Sequence, residues 1–180
     1  MKLRIVHQEG AIHNPGTVAV TSNLTHNKCI RFEFVVATSE FTTQPNLPMD
    51  QPAWGLWETD VVEVFIKSES CDVYYEFQVS PLGQFFEMKI LKPRKEFDTT
   101  YRSGMKFGVA AGKSDGCWTA WLEIPMMQPD WNTAPQNWTG GAFACLGPKG
   151  QRSYFAAFLP DQAIPDFHLP EYFKPIANLK

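Results

Sequence analysis

The chain has 180 residues, 44% hydrophobic and 19% charged, a balance that builds a folded core and excludes a disordered chain. Its net charge of -3 speaks against nucleic acid or an anionic membrane as the main partner, and a neutral polar ligand suits it better. The length predicts one domain over residues 1–180. No apolar run of signal-peptide length opens the sequence and none is long enough to span a bilayer, so the expectation is a soluble, cytoplasmic protein. Cys29, Cys71, Cys117 and Cys145 are scattered without a C-x-x-C pair, which predicts reduced, buried thiols rather than a zinc or redox motif.

Along the chain, short alternating segments and turn residues dominate. "KLRIVH", "TVAVTSNL" and "CIRFEFVVAT" read as strands, the last with Ile30, Phe32, Phe34 and Val36 on one face. A Pro-containing loop, residues 38–56, follows; a loop of that length in a compact domain is usually functional or mobile. "VVEVFIK" and "VYYEFQVS" form a hairpin around "SESCD", and "QFFEMKIL" follows the turn "PLG". Residues 92–104, "KPRKEFDTTYRSG", are charged and read as irregular. "MKFGVAAG" and "CWTAWLEIP" pair across the turn "KSDG". A second Pro-rich loop, "MMQPDWNTAPQNWTGG", leads to "AFACLG" and "SYFAAFL", paired around "PKGQR". The tail is too Pro-rich for a helix or a central strand until its last residues. The pattern predicts an all-β chain, an antiparallel β-sandwich of jelly-roll type, with helix a minor component.

Functional side chains gather at "GLWETDVVEVFI", residues 55–66. Alternation puts Val62, Val64 and Ile66 toward the core and Val61, Glu63 and Phe65 on the opposite face. In the next strand Tyr75, Phe77 and Val79 alternate with Tyr74, Glu76, Gln78 and Ser80. Pairing Glu63 with Gln78 places Phe65 opposite Glu76 and gives one sheet face a polar row. Such a row is either a solvated outer face or a ligand platform. Trp54, Trp57, Phe65 and Tyr74 around it favour the platform, because sugar rings stack their C–H faces on aromatics while hydroxyls bond carboxylates and amides.

Asp60 and Glu63 do not make a glycosidase pair. Such a pair stands about 5–10 Å apart across a substrate, whereas residues three apart on a strand face opposite ways. Asp60 reads as a turn or strand-capping acid, or as a ligand to structural calcium. His7, His13, His26 and His168 show no metal-ligand spacing. His168, between prolines in "IPDFHLPEYF", is either a buried hydrogen-bonding post or a wall of the site. No phosphate loop or nucleophile elbow occurs, and no enzymatic activity is expected.

The segments "LWETDVVEVFI", "YYEFQVSPLG", Arg102-Ser103-Gly104-Met105 and "PDFHLPEYF", in that order, resemble family 9 carbohydrate-binding modules and their bacterial DOMON-like relatives. The resemblance covers residues 50–180 well and the first fifty by strand pattern only. It implies a β-sandwich with a sugar site on or beside one sheet, where two tryptophans sandwich a glucose unit. Trp57 matches the first tryptophan and Glu63 the hydrogen-bonding carboxylate. Phe158 falls where the second tryptophan would be, Gln78 where those modules have arginine, and Ser80 where they have asparagine. Glutamine for arginine removes a charged, forked donor. DOMON relatives also bind haem through methionine and histidine, for which Met88, Met105 and His168 are the candidates here. The expected ligand-binding set is therefore Trp57, Glu63, Gln78, Phe158, Trp54 and His168, holding a mono- or oligosaccharide without catalysis. The alternatives are a haem-binding electron-transfer domain and a protein-interaction module.

Overall fold

The computed structural model describes residues 1–11, 15–38, 40–69, 71–112, 116–126 and 137–179. Among these, the alternating stretches form β1 (Arg4–Gln8), β2 (Thr17–Leu24), β3 (Cys29–Ala37), β4 (Val61–Ser68), β5 (Tyr74–Val79) and β6 (Phe85–Lys92). They continue as β7 (Glu96–Asp98), β8 (Lys106–Gly112), β9 (Cys117–Pro125), β10 (Trp138–Leu146), β11 (Ser153–Ala156) and β12 (Lys174–Pro175). The larger sheet runs β1-β11-β10-β4-β5-β6-β7, with β12 paired to the start of β10, and the smaller runs β2-β3-β9-β8. Every pairing between these strands is antiparallel. Helix among the described residues is limited to short 3-10 turns such as Leu56–Glu58 and Ile176–Asn178. No described helix is long and apolar enough to cross a membrane.

The sheets pack face to face through the side chains that alternation assigns inward. Ile30, Phe32, Phe34 and Val36 meet Val62, Val64, Ile66, Tyr75, Phe77 and Val79 in one buried cluster that also holds Trp118 and Trp138. Burying each such large side chain stabilises the fold by roughly 1.5–3 kcal/mol.

A second apolar layer lies on the far face of the larger sheet. Val61, Phe65, Tyr74, Phe86 and Phe143 are covered there by Ala53 and Leu56 from the long loop and by Leu159, Phe167 and Phe173 from the tail. β5 is consequently buried along its whole length and β4 at all but one position. A Pro-rich tail can provide such a cover without joining a ladder, since it brings apolar side chains and few backbone donors.

Several boundaries differ from expectation. The charged stretch 92–104 contains β7, which pairs with β6. β10 begins at Trp138 rather than near Ala142, because its glycines tolerate a crowded crossing: a Cβ on Gly140 would run into the backbone oxygen of Phe65. The tail adds the two-residue β12. All four cysteines are free; only Cys145 is fully buried, and the other three are partly exposed. Residues 113–115 of the "KSDG" turn, the loop residues 127–136, and His13 lie outside the described residues.

Candidate functional site

The hairpin of β4 and β5 has the register that alternation requires: Glu63 pairs with Gln78 and Phe65 with Glu76. These polar side chains point away from the inter-sheet core, yet Glu63, Gln78 and Glu76 are only 3%, 1% and 2% exposed. The outer face is therefore covered, not solvated. Between the covering segments the sheet floors a cleft of about 780 Å³, within the usual size of a small-molecule site.

The floor is electrostatically tense. Gln78 Nε2 donates to Glu76 Oε1, while Glu76 Oε2 and Gln78 Oε1 are buried without a partner. Glu63 Oε1 accepts from the Cys145 thiol at 3.6 Å. Burial pushes Glu63 up to about 7, against the pull of the Cys145 and Gln78 hydrogen bonds and the Arg152 charge. Burial, and then the neighbouring Glu63, raise Glu76 well above the ordinary carboxylate range. Two carboxyl groups that share a dry site cannot both ionise freely.

The long loop supplies one wall. Buried Gln84 donates from Nε2 to the carbonyls of Gln44 at 2.7 Å and Leu47 at 3.1 Å, and the Ala53 N–H donates to Phe85 O at 2.8 Å. Gly55, at φ 85, lets the chain enter the 3-10 turn Leu56–Glu58. Leu56 goes inward and Trp57 toward the cleft, edge-on to Phe86 with ring centres 5.6 Å apart. Trp54, 60% exposed, stands nearly perpendicular to Trp57 at 4.9 Å.

The tail supplies the facing wall. Arg94 Nε donates to Asp166 Oδ2 at 2.7 Å, and the His168 N–H donates to Asp166 Oδ1 at 2.9 Å. Phe167 stacks on Phe143 at 4.6 Å. His168 is both a post and a wall: it lines the cleft, its Nδ1 lies 2.8 Å from the Tyr74 hydroxyl, and its Nε2 lies 3.7 Å from Glu76 Oε2. Burial lowers its pKa to about 4, so the imidazole is neutral at pH 7.

The fold thus brings Trp57, Trp54, Glu63, Gln78 and His168 together around one cleft. Phe158 is not among its lining residues. β11 ends at Ala156, so alternation no longer governs Phe158, which packs against the inter-sheet core. Among the described residues no parallel aromatic partner faces Trp57 to sandwich a ring; the facing wall carries His168, Phe167 and Pro165. Ser80 is occupied elsewhere, donating from Oγ to Gln84 Oε1 at 3.0 Å.

Sequence reasoning passed over Arg152 and Tyr154. Strand parity in "RSYFA" contains the signal, since both residues share the face opposite Phe155. Arg152 is buried and donates to Glu58 O at 2.8 Å and to Thr59 O, with Nε unpartnered. Tyr154 donates to Glu9 Oε1 at 2.9 Å on the same rim. A charged, forked donor is therefore present near the floor, from β11 rather than from β5.

Asp60 acts at the strand start. Its Oδ1 accepts from the Gly147 N–H at 2.7 Å, and burial raises its pKa to about 6. Among the described residues no group of three or more His, Cys, Asp or Glu is arranged to hold a metal ion. Of the haem candidates, Met88 and His168 line the cleft. His168 Nδ1 is engaged with the Tyr74 hydroxyl, and Met105 packs against the inter-sheet core whereas Met88 belongs to the outer layer.

No family model matches the sequence. The human UPF0462 protein C4orf33 is 27% identical over 147 residues, covering 76% of this chain and 69% of the human protein. Its zebrafish (Danio rerio) homologue is 26% identical, covering 72% of this chain and 65% of that protein. Among solved structures, a protein from Bacteroides uniformis presumed to bind carbohydrate superposes with a TM-score of 0.69 at 16% identity, covering 92% of this chain and 82% of that one. A family 9 carbohydrate-binding module from Caldicellulosiruptor kristjanssonii, in complex with glucose, gives 0.55 at 10% identity over 97% and 80% of the two chains. The fold is that of the family 9 carbohydrate-binding modules.

Proposed function

We propose that this chain is a single non-catalytic domain that binds carbohydrate in the cleft over β4 and β5. Trp57 gives a sugar ring an apolar face, with Trp54 at the rim. Glu63, Glu76 and Gln78 take its hydroxyls from below. The observation that carries this reading is the floor: polar side chains at 1–3% exposure, two of them with an acceptor lacking a partner, under an aromatic wall. Leaving buried acceptors unmade costs a folded protein about 1–3 kcal/mol each, and a bound polyol offsets that cost. The likeness to sugar-binding modules supports the same reading.

Small polar ligands lose much of their binding energy to desolvation and ordering, so affinities between roughly micromolar and millimolar are expected. Tryptophan-fluorescence titration against a panel of mono- and oligosaccharides tests the proposal. Saturable quenching by at least one sugar supports it; a flat response across the panel, from a folded protein, overturns it.

A further inference from the structure

The chemistry of the cleft floor narrows the kind of sugar, on the premise that the carbohydrate reading holds. The unpartnered buried atoms around that floor are two acceptors, Glu76 Oε2 and Gln78 Oε1, and one donor, Arg152 Nε. Among the described residues, no element that faces the Glu63–Glu76 pair ion-pairs it with a lysine or arginine. From β5, Gln78 gives one N–H to Glu76. From β10, Cys145 gives a weak thiol donor to Glu63. From β11, Arg152 pulls on Glu63 by its charge, but its two NH groups donate to the carbonyls of Glu58 and Thr59 and its Nε is unpartnered, so it makes no ion pair with either carboxyl. From the tail, His168 Nε2 stands 3.7 Å from Glu76 Oε2, outside hydrogen-bond reach.

We propose that the cleft is built for an amino sugar, whose ammonium group sits on the Glu63–Glu76 floor while its ring lies against Trp57. A hydroxyl brings one donor and no charge. An ammonium brings three donors and a direct cationic partner that neither carboxyl has among the described ion pairs, and aromatic rings such as Phe65 and Trp57 line the same space. Burial favours a proton on the pair before the ammonium binds, so binding exchanges that proton for the ammonium and delivers it to the buffer.

Calorimetric titration of the full chain at pH 7 tests this with glucosamine, galactosamine and mannosamine, each beside its parent hexose. N-acetylglucosamine and cyclohexylamine complete the set. At least one amino sugar should bind about tenfold or more tightly than its parent hexose. N-acetylglucosamine should have no such advantage, and repeating the titration in buffers of different ionisation heat should reveal proton release. Glu76→Gln should bring the amino-sugar-to-hexose ratio close to one; if that variant fails to fold, the wild-type ratio and proton release decide. Equal affinity for hexoses and their amino counterparts overturns the amino-sugar proposal and leaves the carbohydrate reading standing. Binding of cyclohexylamine as tight as glucosamine, with no response to any neutral sugar, overturns both.

Discussion

The outer faces of the two sheets begin from the same sequence pattern and end in opposite states. In β3, "CIRFEFVVA", alternation sends Arg31 and Glu33 outward; in β4, "VVEVFIKS", it sends Glu63 outward. On the smaller sheet the charges satisfy one another. Arg31 Nε donates to Glu33 Oε1 at 2.8 Å and its guanidinium lies 4.3 Å from the centre of the Trp121 ring. Glu33 keeps half its side chain in water, 50% exposed. On the larger sheet Glu63 is 3% exposed, because the long loop and the tail close over it. A carboxylate on an alternating strand acquires its meaning from what covers the strand. An open face needs only ion pairs of little energetic weight, whereas the covered one holds buried acceptors without a partner.

The largest contrast should come from crowding. A Cβ on Gly140 meets backbone of the neighbouring β4, while one on Gly108 meets only the Trp121 indole. Backbone cannot swing aside. Gly140→Ala should therefore destabilise by about 3 kcal/mol or more, and Gly108→Ala by about 1 kcal/mol with loss of the Arg31–Trp121 stacking. Calorimetric melting separates them by roughly 4–8 °C; equal losses would mean that the larger sheet can spread at no greater cost.

The next contrast is in ligand affinity. Trp57→Ala should weaken sugar binding about five- to a hundredfold, and Trp121→Ala should leave it unchanged. Thermal melts of both variants separate lost stacking from lost folding. A smaller difference should appear in the dependence of stability on pH. Folding raises the Glu63 carboxyl from 4.5 to about 7, so its contribution is full below 4.5 and is lost as pH rises through 7. Relative to the parent chain, Glu63→Gln should thus gain stability between pH 4.5 and 8, by about 1–3 kcal/mol. His168 works in the other direction. Its pKa falls from 6.5 to about 4, so its contribution is present above 6.5 and is lost on acidification toward 4. The smallest effect belongs to Glu33→Gln, which should stay within about 0.5 kcal/mol at either pH.

The strands and the polar row were legible because alternation is local: which of Val62, Glu63, Val64 and Phe65 face inward follows from period two alone. The Glu63–Gln78 register was legible because two short strands joined by a turn have few apolar-in alignments. Burial of that row was not legible. It depends on Phe167 and Phe173, about a hundred residues downstream of Glu63, in a tail whose prolines give no periodic signal. Phe158 was placed by resemblance at a position two residues past the end of β11, where strand parity has lapsed. Arg152 escaped notice inside a turn-like "PKGQR", although the alternation of "RSYFA" puts it on the face of Tyr154.

The proposed ligand recognition belongs to the covered face and not to the open one. A two-dimensional amide NMR titration with the sugar that quenches tryptophan fluorescence at the lowest concentration tests it most directly. The expected result is shifts confined to the Trp54 and Trp57 indoles and to amides near Glu63, Glu76, Gln78 and His168, with Trp121 and β3 silent. Shifts centred on Trp121 and Arg31, with the β4–β5 amides unmoved, would contradict it.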